Sequence, residues 1–206
     1  GNEYAGADLQ VYLNKMYYEG DTTVTCYGST SNGTTTCPTG TIDEISKSLI
    51  DNHIWNTGAI EYMMRTDTLA FYQAERGSVN GKLCSSGTGC NDAVTRTTTW
   101  TGYVGLPYAT DWAYASSESV CETNMQKQDS SCYNNNWMQR NTWTWYLSPV
   151  CNGSDAYNAW FVYGVGSYDG AARSYAVLPS IYLKSNVLIE SGTGTSSNPY
   201  ILRTGA

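Results

Sequence analysis

Seven cysteines, one histidine and a scatter of carboxylates are the side chains here with the chemistry to hold a metal, attack a carbonyl or move a proton. The cysteines fall at 26, 37, 84, 90, 121, 132 and 151. Six of them form three close pairs, Cys26/Cys37, Cys84/Cys90 and Cys121/Cys132, each bracketing a polar segment rich in Gly, Ser, Thr or Asn. Local disulfides that pin loops account for this spacing, since closing a loop of ~15 residues stabilises a fold by about 3 kcal/mol in the entropy model. Zinc is the rival use of clustered cysteine, but there is no Cys-x-x-Cys and His53 is the one histidine. An oxidising compartment is the expectation. Cys151 is left over, as a free thiol, an intermolecular bridge or an accident of a variable position.

His53 has no neighbouring Cys or Ser that would make it half of a nucleophilic site, and no Gly-x-Ser-x-Gly elbow is present. Gly192-Thr193-Gly194 lies between short predicted strands with no helix after it, so a phosphate cradle is not expected. Glycoside hydrolysis requires two opposed carboxylates. Glu61, Asp67, Glu75, Asp92, Asp111, Glu118 and Glu122 are available, and no spacing nominates a pair. Glu75-Arg76 at a helix end reads more simply as a tether to the core or an ion pair. No Asp-x-Asp-x-Asp-Gly run supports calcium. The expectation is therefore no catalytic residue, no metal ligand and no cofactor.

The aromatic composition points elsewhere. Eighteen Tyr and seven Trp stand against two Phe. Tyr and Trp add a polar handle to a large ring, which suits a surface that is part buried and part wet, and such residues dominate recognition surfaces. Nine of these 25 fall within residues 143–182, nearly twice that segment's share by length. Cys151, Asn152, Gly153, Ser154, Asp155, Tyr157 and Asn158 lie among them, the composition of an adaptable binding surface. Trp55, Trp100, Trp112 and Trp137 read instead as scaffold. The net charge of −7 leaves no basic patch for nucleic acid or for an anionic membrane surface. No apolar run of 18 residues is present to span a bilayer. With 14% charged residues, solubility rests on Thr, Ser, Asn, Gly and Tyr, the look of an extracellular protein.

The elements that must position these groups run helices first, then strands, which predicts an α+β fold. Leu9, Tyr12, Leu13, Met16 and Tyr17 have the spacing of an amphipathic helix ending near Gly20. Thr41-Ile42-Asp43-Glu44 reads as a capping box for a helix to about Ile50. Residues 54–64 read as a strand, and Thr66 as the cap of a helix through Leu69, Tyr72 and Gln73. Beyond residue 78 no helical period is convincing. Strands are expected at 100–106, 142–147, 159–166 and 173–183, with a loop over 107–117. Ser167-Tyr168-Asp169-Gly170 is the expected hairpin turn between the last two strands. Residues 187–189 and 200–202 should pair.

Several segments carry a resemblance. They are Ala74-Glu75-Arg76-Gly77, Trp100-Thr101-Gly102-Tyr103-Val104-Gly105-Leu106-Pro107-Tyr108 and Asp111-Trp112-Ala113-Tyr114-Ala115. Asn136-Trp137, Trp145-Tyr146-Leu147-Ser148-Pro149, Tyr182-Leu183-Lys184-Ser185 and Gly192–Tyr200 complete the set. Over roughly residues 54–206 the chain resembles bacterial surface proteins with a C-type-lectin-like domain. These are often joined to a pilin-like N-terminal helix, and several are variable proteins of diversity-generating retroelements. The resemblance implies a C-type-lectin-like fold with N-terminal helices and a mainly antiparallel C-terminal part. It implies a division into residues 1–40, holding the end of a pilin-like helix and a disulfide-pinned loop, and a ligand-binding domain over 41–206. Its diversified positions would lie in 150–175. Two departures are plain: Leu178 precedes Pro179 where the family carries Arg, and sugar motifs such as Glu-Pro-Asn are absent. Calcium-dependent sugar binding is therefore not carried over.

The function expected is an adhesin-like protein, extracellular, at the cell surface or on a pilus, with its ligand face at about 146–175. Tyr146, Asn152, Asp155, Tyr157, Asn158, Tyr163, Tyr168 and Asp169 are the expected contacts. The partner would be a protein or glycan on a host cell or another microbe, with other pilus subunits as further partners. A structural pilin-like subunit and a carbohydrate-active enzyme are the alternatives.

Overall fold

The computed structural model of the chain describes residues 8–24, 26–27, 34–35, 41–58, 60–76, 99–125, 130–139, 142–151, 158–162, 166–170 and 175–205. The first helix, α1 (Asp8–Val11), widens without a break into a π-helical stretch, Tyr12–Tyr18. The face predicted by periodicity is the inward one: Leu13 and Met16 are buried, and Leu9, Tyr12 and Tyr17 are half-buried. Gly20 ends the helix at φ 85°, a conformation that costs little only for glycine. Two short strands, β1 (Cys26–Tyr27) and β2 (Thr34–Thr35), form a small antiparallel ribbon.

Helix α2 (Glu44–Leu49) forms where a capping box was expected, but its cap is Asp43 rather than Thr41, accepting from the Ser46 amide at 2.9 Å. The expected strand over 54–64 is three pieces: β3 (His53–Asn56), β4 (Ile60–Glu61) and a 3₁₀ turn, Tyr62–Thr66. Helix α3 (Thr68–Arg76) starts one residue later than the Thr66 cap implied, because Asp67 accepts from the Ala70 amide at 3.0 Å.

Strands β5 (Thr99–Gly102) and β6 (Val104–Gly105) occupy the expected strand. The segment expected as a loop instead contains helix α4 (Ala109–Tyr114). Two further single-turn helices, α5 (Ser119–Thr123) and α6 (Ser130–Asn134), were not foreseen, since one turn carries no readable period. They are joined by the disulfide Cys121–Cys132, whose Cα atoms lie 5.7 Å apart. Strands β7 (Thr144–Cys151), β8 (Asn158–Val162) and β9 (Gly166–Gly170) follow. The last elements are β10 (Ser180–Ile181), β11 (Val187–Ser191) and β12 (Ile201–Thr204).

The main sheet has the order β4-β7-β8-β9, with β4 parallel to β7 and the other pairs antiparallel. Small antiparallel pairs, β3 with β5, β6 with β10 and β11 with β12, complete the α+β architecture. Val187–Ser191 and Ile201–Thr204 pair as expected. The Asp169-Gly170 turn does not form: both residues lie in β9, opposite Ala159 and Asn158, and the β8–β9 connection falls earlier. Pairing along the whole strand outweighs the local turn preference of Asp-Gly.

Strand β7 explains much of the aromatic richness. It is buried along Thr144–Val150 on both of its faces. Strand side chains alternate, and here Tyr146 and Val150 enter one core with Ile60, Phe71, Trp112 and Trp160, while Trp145 and Leu147 enter a second with Leu13, Ile50, Trp55 and Val104. Leu13 ties the first helix into that second core. Asn14 fixes it there. Its amide donates to the Val104 carbonyl at 2.9 Å and its oxygen accepts from the Val104 amide at 3.0 Å, as a neighbouring strand would.

A candidate ligand cleft between α3, α4 and β10

The last turn of α3 delivers two consecutive charged residues to opposite fates. Glu75 points into the protein and is 1% exposed. Its carboxylate accepts from the Ala109 and Thr110 amides at 2.9 and 3.1 Å, from the Ser148 hydroxyl at 2.9 Å and from the Thr110 hydroxyl. It thus occupies the positive end of α4 and binds that helix to α3 and β7. Burial pushes the Glu75 carboxyl up to about 7, against the pull of its hydroxyl and amide donors. A tether to the core is what the sequence suggested for this residue.

Arg76 turns outward and pairs with Asp111. The other Asp111 oxygen accepts from the Tyr108 amide at 2.8 Å, closing the first turn of α4. The guanidinium lies over the Tyr108 ring, 4.4 Å from its centre, and over Tyr72 at 5.3 Å. Burial works against its charge, but Asp111, Tyr182 and Glu75 beside it outweigh that and hold it above the ordinary arginine value. Tyr108 is itself locked, its hydroxyl accepting from the Asn56 amide at 2.9 Å, and burial pushes its phenol well above the ordinary tyrosine value.

This pair forms the polar floor of a cleft of about 430 Å³. Trp55, Leu106, Pro107, Tyr108 and Met138 line its depth, and Tyr114, Ala115, Trp137, Ser180, Ile181 and Tyr182 line the rest. Gly105 lets Trp55 reach this position, since a Cβ there would meet the indole at 2.8 Å. Tyr182 is held from behind by His53, stacked at 3.7 Å, and by Trp55 at 4.9 Å. His53 in turn contacts the Asp51 carboxylate at 3.2 Å. The mouth is aromatic and wet: Trp137 is 74% exposed and Tyr114 is 41% exposed. Trp137 is set there by the hydrogen bond that its backbone amide donates to the Ala115 carbonyl, 3.3 Å, and by the bridge between Ser116 and Asn136.

The residues expected to bind ligand are placed differently. Tyr146 is 3% exposed and packs in the first core, so it has no face to offer a partner; alternation along a strand buried on both sides put it there. Asn158 lies on β8 and Tyr168 and Asp169 on the adjacent β9, with Asn158 opposite Gly170, Trp160 opposite Tyr168 and Ala159 opposite Asp169. Asn152, Asp155, Tyr157 and Tyr163 lie outside the described residues. So do Cys37, Cys84 and Cys90, while Cys26 lies on β1 and Cys151 ends β7 opposite Glu61. Trp137, read from sequence as scaffold, is instead the most exposed tryptophan among the described residues. Its setting in Asn134-Asn135-Asn136-Trp137 was the available signal, a large ring among polar residues.

Among the described residues no three His, Cys, Asp or Glu side chains gather as a metal site. No helix there is long and apolar enough to cross a membrane. Compared with protein-family models, curated protein sequences and solved structures, the chain matches none.

Proposed function

We propose that this is a ligand-binding protein without catalytic activity, displayed outside the bacterial cell on the surface or on a pilus, and built on a C-type-lectin-like domain. The observation that carries the reading is the cleft, with Trp and Tyr rings around a fixed ion pair and an exposed aromatic mouth. Small-molecule sites are concave, mostly apolar and furnished with a few oriented polar groups. Binding is favoured over turnover because, among the described residues, the lining carries a single carboxylate, ion-paired with Arg76. Asp111 holds Arg76 and the Tyr108 amide, and Glu75 lies behind the wall with four donors. The sequence resemblance supplies the surface location and a second contact region around Asn158, Tyr168 and Asp169, within the diversified stretch at 150–175.

Binding of the folded protein to intact bacterial and animal cells tests this reading. Wild type should bind at least one cell type, and the Trp137→Ala, Tyr114→Ala double variant should bind it more weakly at an unchanged thermal midpoint. Equal binding by both proteins, or conversion of the bound ligand, would count against it.

One observation favours the structural alternative. Leu188, Ile189, Tyr200 and Ile201 are exposed on the β11–β12 hairpin, and a two-stranded ribbon is marginal in water by itself. Packing of this hairpin against neighbouring subunits would make the protein a filament component. Filaments that fail to form when Ile189 and Ile201 become Ser would support that role.

A further inference from the structure

Resting on the ligand-binding reading above, we infer that the cleft holds an uncharged saccharide unit, without a metal ion. Charge favours a neutral ligand. Arg76 and Asp111 neutralise one another on the lining, and among the described residues the other titratable lining groups are the phenols Tyr108, Tyr114 and Tyr182. Glu75, next to Arg76 in the chain, is not on the lining; it is turned inward and enclosed by its donors. An anionic or cationic ligand would add an uncompensated charge to a site partly withdrawn from water, which is costly.

Hydrogen-bonding valence favours a ligand rich in hydroxyls. Each Asp111 oxygen uses one of its two acceptor positions, one for Arg76 and one for the Tyr108 amide. The Asp111 side chain is 34% exposed and that of Arg76 is 26% exposed, so both reach the cleft. The floor therefore presents a charged acceptor and a charged donor side by side. Neighbouring hydroxyls, each able to donate and accept, satisfy both at once.

Shape supports the same ligand. Trp137, 74% exposed, and Tyr114, 41% exposed, set aromatic surface beside the ion pair on the cleft lining. A sugar ring has the matching division: C–H groups on a face and hydroxyls around an edge. The volume falls within the range of about 300–1,000 Å³ for small-molecule sites. Among the described residues Asp111 is the one carboxylate on the lining, whereas hydrolysis of a glycosidic bond calls for two. The sugar is held and not cleaved.

The test is a panel of immobilised neutral oligosaccharides ending in hexose or N-acetylhexosamine, beside sialylated and sulfated counterparts, probed with the folded protein in EDTA. Wild type should retain neutral glycans in EDTA and prefer them to the anionic ones. Trp137→Ala should bind about tenfold more weakly, the scale of one lost aromatic contact. Asp111→Asn, which keeps an acceptor for the Tyr108 amide, should also weaken binding. Preference for anionic glycans, loss of binding in EDTA, or wild-type binding by Trp137→Ala would overturn the inference. Cell binding that resists periodate, is abolished by protease treatment of the cells and still depends on Trp137 would overturn the saccharide and leave the ligand-binding reading standing. No binding to any glycan or any cell would remove both.

Discussion

The Glu75 carboxylate accepts a hydrogen bond from the Ala109 amide at 2.9 Å, across 34 residues of chain. One buried side chain thereby supplies the start of a helix that its own local sequence does not announce. The same contact carries a pH prediction. Burial raises the Glu75 carboxyl from 4.5 to about 7, so between these values the folded state binds a proton more tightly than the unfolded chain does. Such a group's contribution is complete below the unfolded value and is lost as pH rises through the folded one. It amounts to roughly 3 kcal/mol at most. The thermal midpoint of wild type should fall from pH 5 to pH 8 by more than that of Glu75→Gln. The single oxygen of a carboxamide cannot replace both carboxyl oxygens toward the two α4 amides, so at pH 5, where most of that contribution remains, the variant should be less stable by about 1–3 kcal/mol, a gap that closes as pH rises through 7. Parallel pH profiles for the two proteins would contradict the assignment.

Asn14 should be as sensitive as a core apolar residue. Its carboxamide makes four hydrogen bonds, to the Gln10 and Val104 carbonyls and from the Tyr103 and Val104 amides. Asn14→Ala removes all four in a buried place and should cost about 2–4 kcal/mol in urea unfolding. Asn14→Asp should do no better, because a carboxylate cannot donate to the two carbonyls. A cost below about 0.5 kcal/mol, the scale of a surface change, would mean that the first helix docks through its apolar face alone.

The Cys121–Cys132 bridge joins two helices that are too short to stand without it. The bridge spans 11 residues and both cysteines are buried. Replacing both by Ala should lower stability by about 2–4 kcal/mol, or roughly 5–15 °C in thermal midpoint for a chain of this size. The loss should extend to the cleft mouth, since Trp137 is positioned by backbone bonds from Ala115 and Ser116 beside this bridge. Loss of ligand binding by the variant at temperatures below its own global unfolding would register it.

Sequence made some of this legible and hid the rest for identifiable reasons. The helix through Leu13 and Met16 shows because its apolar period spans two turns, and the Val187–Ser191 and Ile201–Thr204 pairing because turn residues separate two apolar runs. The Cys121/Cys132 pair shows through its spacing. Helix α4 is hidden because Glu75, remote in sequence, holds two of its first amides, Asp111 is its one local signal, and its six residues carry less than two turns of pattern. The cleft is hidden for the same reason at a larger scale: Arg76, Asp111, Trp137 and Tyr182 are brought together by tertiary packing alone. Composition marks Tyr and Trp as the residues to follow. It does not separate a ring at a wet mouth from one on a strand buried on both faces.

Tyr146 and Trp137 are the pair on which that distinction can be measured. Tyr146 is enclosed by the first core, whereas Trp137 stands mostly in solvent. Truncating a buried aromatic costs about 3–5 kcal/mol, transfer and cavity together. Tyr146→Ala should therefore unfold at markedly lower urea, while the fraction that remains folded binds ligand as wild type does. Trp137→Ala should stay within about 0.5 kcal/mol of wild type and lose binding. Urea midpoints and binding measured on the same preparations decide the matter. If Tyr146→Ala kept its midpoint and lost binding, the recognition surface would return to β7, and the double burial of that strand would no longer account for its aromatic residues.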